Sequence, residues 1–183
     1  TDGAIEACTI DAETMEPSYS VIGDDGEKPV GLCGSGIIDV ISELFRCGII
    51  NAKGLFVREG KRVRHDEFGM GSYVLAFKED AGSVKDVEIT EVDIDNFVRA
   101  KGAIFSGINV MLESLGFDVS VLEHVYVAGG IGSGINMKNA ISIGMLPDIP
   151  LEKYEYIGNS SLSGAYTILL SKEAEEKVHD LGR

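Results

Sequence analysis

Cysteine and histidine are scarce in this sequence, and neither follows a metal-binding pattern. The three cysteines, Cys8, Cys33 and Cys47, lie far apart and form no Cys-x-x-Cys pair. This spacing argues against a disulfide framework, a zinc site or an iron–sulfur cluster held by this chain alone. The three histidines form no metal motif either. We therefore expect no metal site within the chain, and a reducing, cytoplasmic setting.

Positive charge and long apolar runs are also in short supply. Lys and Arg total 16 against 30 Asp and Glu, which gives a formal net charge of -14 at pH 7. A polyanion such as duplex DNA would be repelled, whereas a nucleotide can be held by backbone N–H groups that need no net positive charge. No apolar run reaches the roughly 20 residues that span a bilayer, and no signal-peptide pattern is present. Nucleic-acid and membrane partners are thus not expected.

What is present is an ordinary globular composition, 44% hydrophobic and 25% charged over 183 residues. Only four prolines occur and no linker divides the chain, so we expect a single domain over residues 1–183. Strand hairpins come first and helices and strands alternate afterwards, which predicts an α/β fold with a mixed sheet and helices on both faces. The predicted strands cover 4–10, 19–22, 73–77, 86–90, 121–128 and 154–157. The first predicted helix begins after an N-cap at Ser35 and ends at Gly48. Further helices are predicted over 91–115, 135–143, 160–170 and from 172 onward. Residues 51–72 are expected to form a surface excursion.

The strongest chemical signal is the segment Val125-Tyr-Val-Ala-Gly-Gly-Ile-Gly-Ser-Gly134, in which a strand runs into glycines before a helix. Glycine permits positive φ and lets a ligand approach the bare backbone. The following helix start presents unsatisfied N–H groups and a partial positive charge. The spacing is neither the dinucleotide Gly-x-Gly-x-x-Gly pattern nor a Walker A loop. The segment therefore indicates an anion or nucleotide site, with a tight strand-to-helix turn as the alternative.

Two further segments place glycine and serine at a helix start. Gly31-Leu-Cys-Gly-Ser-Gly36 leads into an amphipathic helix, and Gly158-Asn-Ser-Ser-Leu-Ser-Gly-Ala165 follows a strand. Each is compatible with a phosphate contact or with an ordinary capped turn. A catalytic role for Cys33 is not expected, because no partner that would activate its thiol is visible nearby.

Polar and charged residues at three places are candidates for a role beyond the core. In the helix after Gly36, Asp39, Ser42 and Glu43 fall opposite the apolar stripe. In the long helix, Lys101 lies in the middle of the apolar stripe, so its ammonium either reaches past the rim to solvent or lines a cleft. The basic residues of the 51–72 segment form either a solvated loop or a surface that steers an acidic partner; they are Arg58, Lys61, Arg62 and Arg64.

Together, in this order, these segments resemble the actin-like ATPase superfamily, which includes acetate and sugar kinases and heat-shock chaperones. Residues 125–134 are similar to its adenosine motif, 158–165 to the helix start beside the adenine, and 32–39 to the glycine turn near the phosphates. A closer resemblance, to the reductive activators of corrinoid proteins, is carried by Thr1-Asp-Gly-Ala-Ile-Glu6, Pro29-Val-Gly-Leu-Cys-Gly-Ser-Gly-Ile-Ile-Asp39, Arg99-Ala-Lys-Gly-Ala-Ile104 and Gly158-Asn-Ser-Ser-Leu-Ser-Gly-Ala165.

The resemblance implies a ribonuclease H-like fold and an ATPase that couples ATP hydrolysis to reduction of a corrinoid protein from Co(II) to Co(I). It implies ATP and Mg as ligands, an iron–sulfur cluster in the full-length protein, and a corrinoid protein as partner. Carried over by position, the nucleotide-binding residues are Gly129, Gly130 and Gly132 at the nucleoside, Gly34, Ser35 and Gly36 at the distal phosphates, Lys101 at the ribose, and Asn159 and Ser160 at the adenine.

The departures from that family concern what is missing. Neither the upstream Asp-Gly-Thr phosphate motifs nor the cysteine-rich domain has a counterpart here. We therefore interpret the chain as the second, adenosine-binding half of an actin-like ATPase domain, inactive by itself, with most metal ligands elsewhere. Two alternatives remain: half of a small-molecule kinase of the same superfamily, and a non-catalytic interaction or dimerisation module. The sequence leaves open whether the chain forms a homodimer.

Overall fold

The first strand pairs with two others into a small mixed sheet. β1 (Ala4–Ile10) pairs antiparallel with β2 (Pro17–Val21) and parallel with β3 (Gly31–Leu32), in the order β2-β1-β3. The structure is a computed structural model that describes residues 1–129 and 134–182. Chain direction reverses between β1 and β2 at a turn in which Met15 takes a φ of 58°. The hydroxyl of buried Tyr73 donates to the Met15 carbonyl at 2.8 Å and fixes this turn.

The remaining elements largely follow the predicted order, with one addition: β4 lies in the 51–72 segment, where no strand was predicted. Helix α1 is followed by a three-stranded antiparallel sheet of order β4-β5-β6, the long helix α2, and a parallel pair, β7 and β8, whose connection contains α3. Two helices, α4 and α5, end the chain. Their bounds are α1 Gly34–Arg46, β4 Val63–His65, β5 Gly71–Ala76, β6 Val87–Thr90, α2 Glu91–Ser114, β7 Val125–Val127, α3 Met137–Ser142, β8 Tyr154–Tyr156, α4 Ser160–Leu170 and α5 Lys172–Leu181.

Within the described residues, three small sheets take the place of the single mixed sheet that the sequence predicted. The reason lies at the edge of β1. Strand β3 pairs with β1 only at Ala4 and Ile5, and beyond that point α1 lies along the edge. The buried carboxylates of Asp39 and Glu43 accept the amide hydrogens of Cys8 and Ile10, at 3.3 and 2.7 Å. A helix therefore closes the edge that a further strand would have occupied.

The helix caps follow local sequence rules in two of three cases. Thr90 and Asp93 form a capping box at the start of α2, and Gly48, predicted as the end of the first helix, takes positive φ after α1. The prediction of Ser35 as N-cap is wrong, because α1 begins at Gly34 and its N-cap is Cys33, which gives no side-chain hydrogen bond. Ser35 instead lies buried within the first turn.

The main core lies between the first two sheets, α1 and the start of α2. It is formed by apolar residues between Ile5 and Ile94, including Val40, Leu44 and Tyr73. The 51–72 segment, expected on the surface, adds Phe56 and Val63 to this core. Val63 is buried because β4 pairs with β5 and turns its first side chain inward. Phe56 is held by a bridge to Ile50 and by its N–H, which donates to Glu91 at 2.9 Å.

The second half of the chain is far less buried. A small cluster of Ile38, Ala140 and Ile143 joins α1 to α3, whereas α4 and α5 have no buried residue. The predicted buried strand over 121–128 shortens to β7, preceded by a single 3-10 turn, Val119–Val121, and its Tyr126 is exposed. Over the ranges that the structure describes, no helix combines the length and apolar character needed to cross a membrane.

Candidate functional site

A loop between β7 and α3 forms the centre of the candidate site. Residues Gly130 and Gly132, predicted as nucleotide contacts, lie in the part of this loop outside the described residues. Its described ends are Gly129 and Gly134. The Gly129 N–H donates to the Gly158 carbonyl at 2.9 Å, and the Tyr156 hydroxyl donates to the Gly129 carbonyl at 2.8 Å. The first end of the loop is therefore fixed to the start of α4.

Both glycines at this contact adopt a conformation that other residues rarely take. Gly129 has a φ of +120° and Gly158 a φ of +76°. Among the described residues, a Cβ placed on either would meet no atom within 4 Å. The positive φ explains the glycines, and the open space beside them leaves room for a ligand to approach the main chain.

The other end of the loop lies against the start of α1. A Cβ placed on Gly134 would be 3.1 Å from Ser35 Oγ and 3.4 Å from Ser35 Cβ, so the two segments are in close contact. The two described ends thus lie at different places, Gly129 at the start of α4 and Gly134 at the start of α1. Each end of the 125–134 segment therefore lies beside one of the other two glycine segments singled out from the sequence.

The first turn of α1 offers backbone donors. The N–H groups of the first turn of a helix have no partner within that helix. Cys33 supplies no capping bond, and the first turn carries no acidic residue. Cys33 Sγ and Ser35 Oγ lie 3.1 Å apart. This end of α1 can therefore accept an anion through main-chain N–H groups, aided by the helix dipole.

Gly36 is explained by packing. A Cβ at this position would lie 2.1 Å from the carbonyl oxygen of Ile5 in β1. Glycine is therefore needed at position 36 for the helix to approach the strand, whatever ligand the turn holds. Its predicted phosphate contact stays a prediction.

The predicted adenine-side residues cap α4. Asn159 is the N-cap, and its side-chain oxygen accepts the Leu162 N–H at 3.1 Å. The Ser160 N–H donates to the Gly158 carbonyl at 3.0 Å. Both residues are exposed. Their expected contact with an adenine stays a prediction.

Lys101 lies at a different place from the glycine segments. Its ammonium donates to the carbonyl of Ile143 at the C-terminal end of α3, where the helix dipole is negative. It lines an apolar cavity of about 310 Å³ between α1, α2 and α3. The expected contact between Lys101 and a ribose stays a prediction. Of the two sequence interpretations, solvent or a cleft, the structure agrees with a side chain that lines a cavity, and it adds the contact with the end of α3.

The basic residues of the 51–72 segment contact other parts of the same chain. Lys61, Arg62 and Arg64 surround the ring of Phe77 at 4.9 to 5.6 Å. The guanidinium groups of Arg62 and Arg64 pair with Glu16 and Asp86, each at 2.5 Å, and Arg58 donates to two backbone carbonyls. Intramolecular partners therefore take up most of this positive charge.

A metal cluster is not supported by the described residues. Nowhere in 1–129 or 134–182 do three or more His, Cys, Asp or Glu side chains gather in a way suited to a metal ion. Cys8 and Cys47 are buried. Burial, with the nearby carboxylates of Glu43 and Asp39, raises the pKa of Cys8 to about 12 and keeps it a thiol. An iron–sulfur cluster does not fit these residues.

Asp39 and Asn139 were missed as site residues. The helical pattern assigned Asp39, Ser42 and Glu43 to the face opposite the apolar stripe, yet all three are buried against β1 and α3. Asn139 Nδ2 donates to Asp39 Oδ1 at 2.6 Å, next to the loop. The one available signal was the close spacing of three polar residues in a helix that follows a glycine turn.

Comparison with known proteins places the chain in a family. Residues 1–183 match the family described as the C-terminal domain of RACo, the ASKHA domain. The corrinoid activation enzyme RamQ of Eubacterium limosum is 36% identical over 181 residues, which cover 94% of this chain and 30% of that protein. A Methanosarcina barkeri reductase named for the Co(II) methylated amine-specific corrinoid protein is 26% identical, covering 94% and 28%.

A solved structure gives the same assignment. The reductive activator for the corrinoid, iron–sulfur protein superposes with a TM-score of 0.90 at 43% identity, covering 99% of this chain and 29% of that one. The chain thus spans about three-tenths of the length of the relatives it matches. It belongs to the C-terminal ASKHA domains of RACo-type corrinoid activation enzymes.

Proposed function

We propose that this chain is the adenosine-binding half of an ATPase that drives reduction of a corrinoid protein from Co(II) to Co(I). One observation carries the proposal: the 129–134 loop contacts the starts of both α4 and α1. A ligand in that position meets exposed main chain at both ends of the loop. An adenine nucleotide has the matching shape, with an apolar base at one end and an anionic chain at the other.

The proposed binding mode follows from the chemistry of each end. The base lies near Gly129 and Gly158, where the space beside the main chain is open. Asn159 and Ser160 flank it. The phosphates extend toward Gly34, Ser35 and Gly36, where the N–H groups of the first turn of α1, which have no partner within the helix, donate to them. Main-chain donors suit a protein with a net charge of -14, because they attract phosphate without requiring a basic surface.

The proposed role of ATP is conformational. Reduction of Co(II) to Co(I) consumes one electron, which must come from a low-potential donor outside this chain, since no group of described residues is suited to hold a cluster. Binding and hydrolysis of ATP would close and open two lobes and thereby change the affinity for the corrinoid protein. This chain supplies the adenosine contacts, and the other lobe supplies the remaining phosphate and metal contacts.

The finer fold assignment belongs to the same proposal. In the longer protein we expect β7 and β8 to join a larger ribonuclease H-like sheet with helices on both faces. The exposure of Tyr126 and of the α4 side chains Leu162, Tyr166 and Leu169 is consistent with elements packing there.

The test uses the full-length protein and its corrinoid partner. Visible absorption follows the loss of Co(II) and the gain of Co(I) with a chemical reductant, with and without ATP. Gly129→Val should abolish the ATP-dependent rate, because valine cannot take a φ of +120°. Gly26→Val is the matched control: Gly26 also has positive φ, at +92°, and open space around it, and it should retain the rate.

The alternatives predict different results. A small-molecule kinase would transfer phosphate to acetate or a sugar and would not accelerate cobalt reduction. A non-catalytic module would bind nucleotide equally well with and without Gly129→Val. Either result, or an ATP-independent rate in the unmodified protein, would overturn the proposal.

A further inference from the structure

Helices α1 and α3 meet along a polar line of contacts. Ser35 lies against Gly134, Asp39 is hydrogen-bonded to Asn139, and the hydroxyls of Ser42 and Ser142 lie 2.9 Å apart. The three α1 residues are spaced by about one turn and all are buried. Buried helix contacts are usually apolar, so a polar line needs a reason beyond hydrophobic burial. We call these three contacts the α1–α3 seam.

Asp39 is the centre of the seam. Its two carboxylate oxygens have different partners: Oδ2 accepts the Cys8 N–H of β1 at 3.3 Å, and Oδ1 accepts Asn139 Nδ2 at 2.6 Å. The backbone N–H of Asn139 in turn donates to the side chain of Asn136, the N-cap of α3, at 3.3 Å. Hydrogen bonds therefore connect β1 of the first sheet, through Asp39 and Asn139, to Asn136 at the start of α3.

The apolar contacts beside the seam do not fix the register of α3 by themselves. α3 has only six residues, and its cluster with α1 is Ile38, Ala140 and Ile143, against which Phe97, Ile135, Met145 and Leu146 pack. Apolar contacts tolerate small sliding, whereas hydrogen bonds require particular atoms to face each other. The register of α3 on α1, and with it the position of Gly134, thus depends on the bond between Asp39 and Asn139, while Lys101 holds the other end of α3 at Ile143.

We infer that Asp39 and Asn139 are positioning residues. They hold α3, and with it the Gly134 end of the 129–134 loop, in register with the start of α1. This inference rests on the proposed function. It adds how the nucleoside contacts and the distal-phosphate contacts are held at a fixed separation. Neither side chain needs to touch the nucleotide. Their effect is on the distance between the place that holds the nucleoside and the place that holds the distal phosphates.

A ligand that spans both places should depend on the seam more than one that occupies a single place. ATP reaches both turns, and its two contacts reinforce each other only while their separation matches the molecule. AMP reaches only the nucleoside turn and its proximal phosphate. Loss of register should therefore weaken ATP binding and leave AMP binding nearly unchanged.

The test exchanges the two partners in the full-length protein. Asn139→Asp sets two carboxylates against each other and should weaken ATP binding about tenfold or more. Asp39→Asn should weaken it less than about threefold, because the Asn139 amide can rotate so that its oxygen accepts the amide introduced at position 39. The double variant restores the bond in reverse, because the amide introduced at position 39 donates to the carboxylate introduced at position 139, while its oxygen still accepts the Cys8 N–H. It should recover ATP affinity to within about threefold of the unmodified protein.

Titration calorimetry measures the affinity for ATP, and competition with ATP measures the affinity for AMP. The affinity for AMP should change less than about threefold in every variant. Asn139→Ala is a milder second variant, since Asp39 keeps its bond to Cys8; thermal melting checks that each variant is folded. Ile49→Val, in the main core away from the seam, is the control for general destabilisation and should leave both affinities unchanged.

The outcomes separate this inference from the proposed function. An unmodified protein that binds neither nucleotide removes the proposed function, and this inference with it. Where the unmodified protein binds ATP, three results overturn the seam alone: Asn139→Asp binds ATP normally, Asn139→Asp loses ATP and AMP equally, or the double variant shows no recovery. Selective loss of ATP with recovery in the double variant supports it.

Discussion

Two glycines near the candidate site are required for different physical reasons. Gly129 takes a φ of +120° in open space, so its constraint is the backbone conformation. Gly36 is helical, and its constraint is the Ile5 carbonyl, which a Cβ would approach to 2.1 Å. A sequence motif records both as glycine and cannot separate a residue needed by a ligand from one needed by packing. The structure separates them because it shows what each missing side chain would meet.

Gly36→Ala should lower the free energy of unfolding by about 2 to 3 kcal/mol, because α1 must move away from β1 to admit the methyl group. Gly107→Ala is the matched control in α2, where nothing lies within 4 Å of the added Cβ. That change should raise stability by about 0.5 to 1 kcal/mol through helix propensity. Urea unfolding of this chain measures both; equal effects of the same sign would contradict the packing argument.

The three cysteines should differ in reactivity. Burial and the neighbouring carboxylates raise the pKa of Cys8 to about 12, and burial also raises the pKa of Cys47. Cys33 is half-buried at the start of α1. Iodoacetamide at pH 8 should therefore label Cys33 and spare the other two until the protein is unfolded, as peptide mass spectrometry will show. In the full-length protein ATP should slow labelling of Cys33; labelling of Cys8 at the same rate would count against the burial of β1.

At the level of elements, α1 replaces a strand. Its acidic side chains are one turn apart and match alternate residues of β1, so Asp39 and Glu43 satisfy two edge amides. Arg46 adds a bond to the Ile10 carbonyl. The periodicity of α1 was enough to predict the helix and Gly48 as its end. The burial of its polar face could not be predicted, because it depends on how soon β3 stops pairing with β1, a tertiary fact.

Glu43→Gln tests this edge through pH. The Arg46 guanidinium and the Ile10 N–H lower the pKa of the Glu43 carboxyl below its usual range, the guanidinium more strongly. A lowered folded pKa stabilises the protein above the unfolded pKa, and this contribution is lost as pH falls through the folded value. At pH 7 the variant should be less stable by about 1 to 2 kcal/mol. The difference should shrink below about pH 4; a difference independent of pH from 7 to 3 would exclude the ion pair as its source.

At the scale of the whole molecule, burial is uneven along the chain. The main core is built from residues between Ile5 and Ile94, while α4 and α5 have no buried residue and their Leu169 and Leu181 are more than four-fifths exposed. The order of the other strands and helices was predictable from periodicity and turn residues, but the short strands β3 and β4 were not predicted. The division into three sheets was not, because hydrophobic patterns report which residues are buried and not which strands pair.

Hydrogen exchange of this chain should reflect that division. Amides of β1, β5 and α1 should be protected at least about a hundredfold more than those of α4 and α5, since local opening needs less free energy where few apolar contacts are lost. Peptide-resolved mass spectrometry gives the comparison. In the full-length protein the α4 amides should gain protection, if further elements cover them as proposed. Uniform protection along the isolated chain would contradict the uneven core.

The central claim is that three glycine segments around the 129–134 loop form one adenine nucleotide site. The most direct measurement is a crystal structure of the full-length protein with a non-hydrolysable ATP analogue. We predict the base beside Gly129 and Gly158, and the distal phosphates within hydrogen-bond distance of the N–H groups at the start of α1. An analogue bound elsewhere, or bound to the loop with its phosphates directed away from Gly34 and Ser35, would contradict the account.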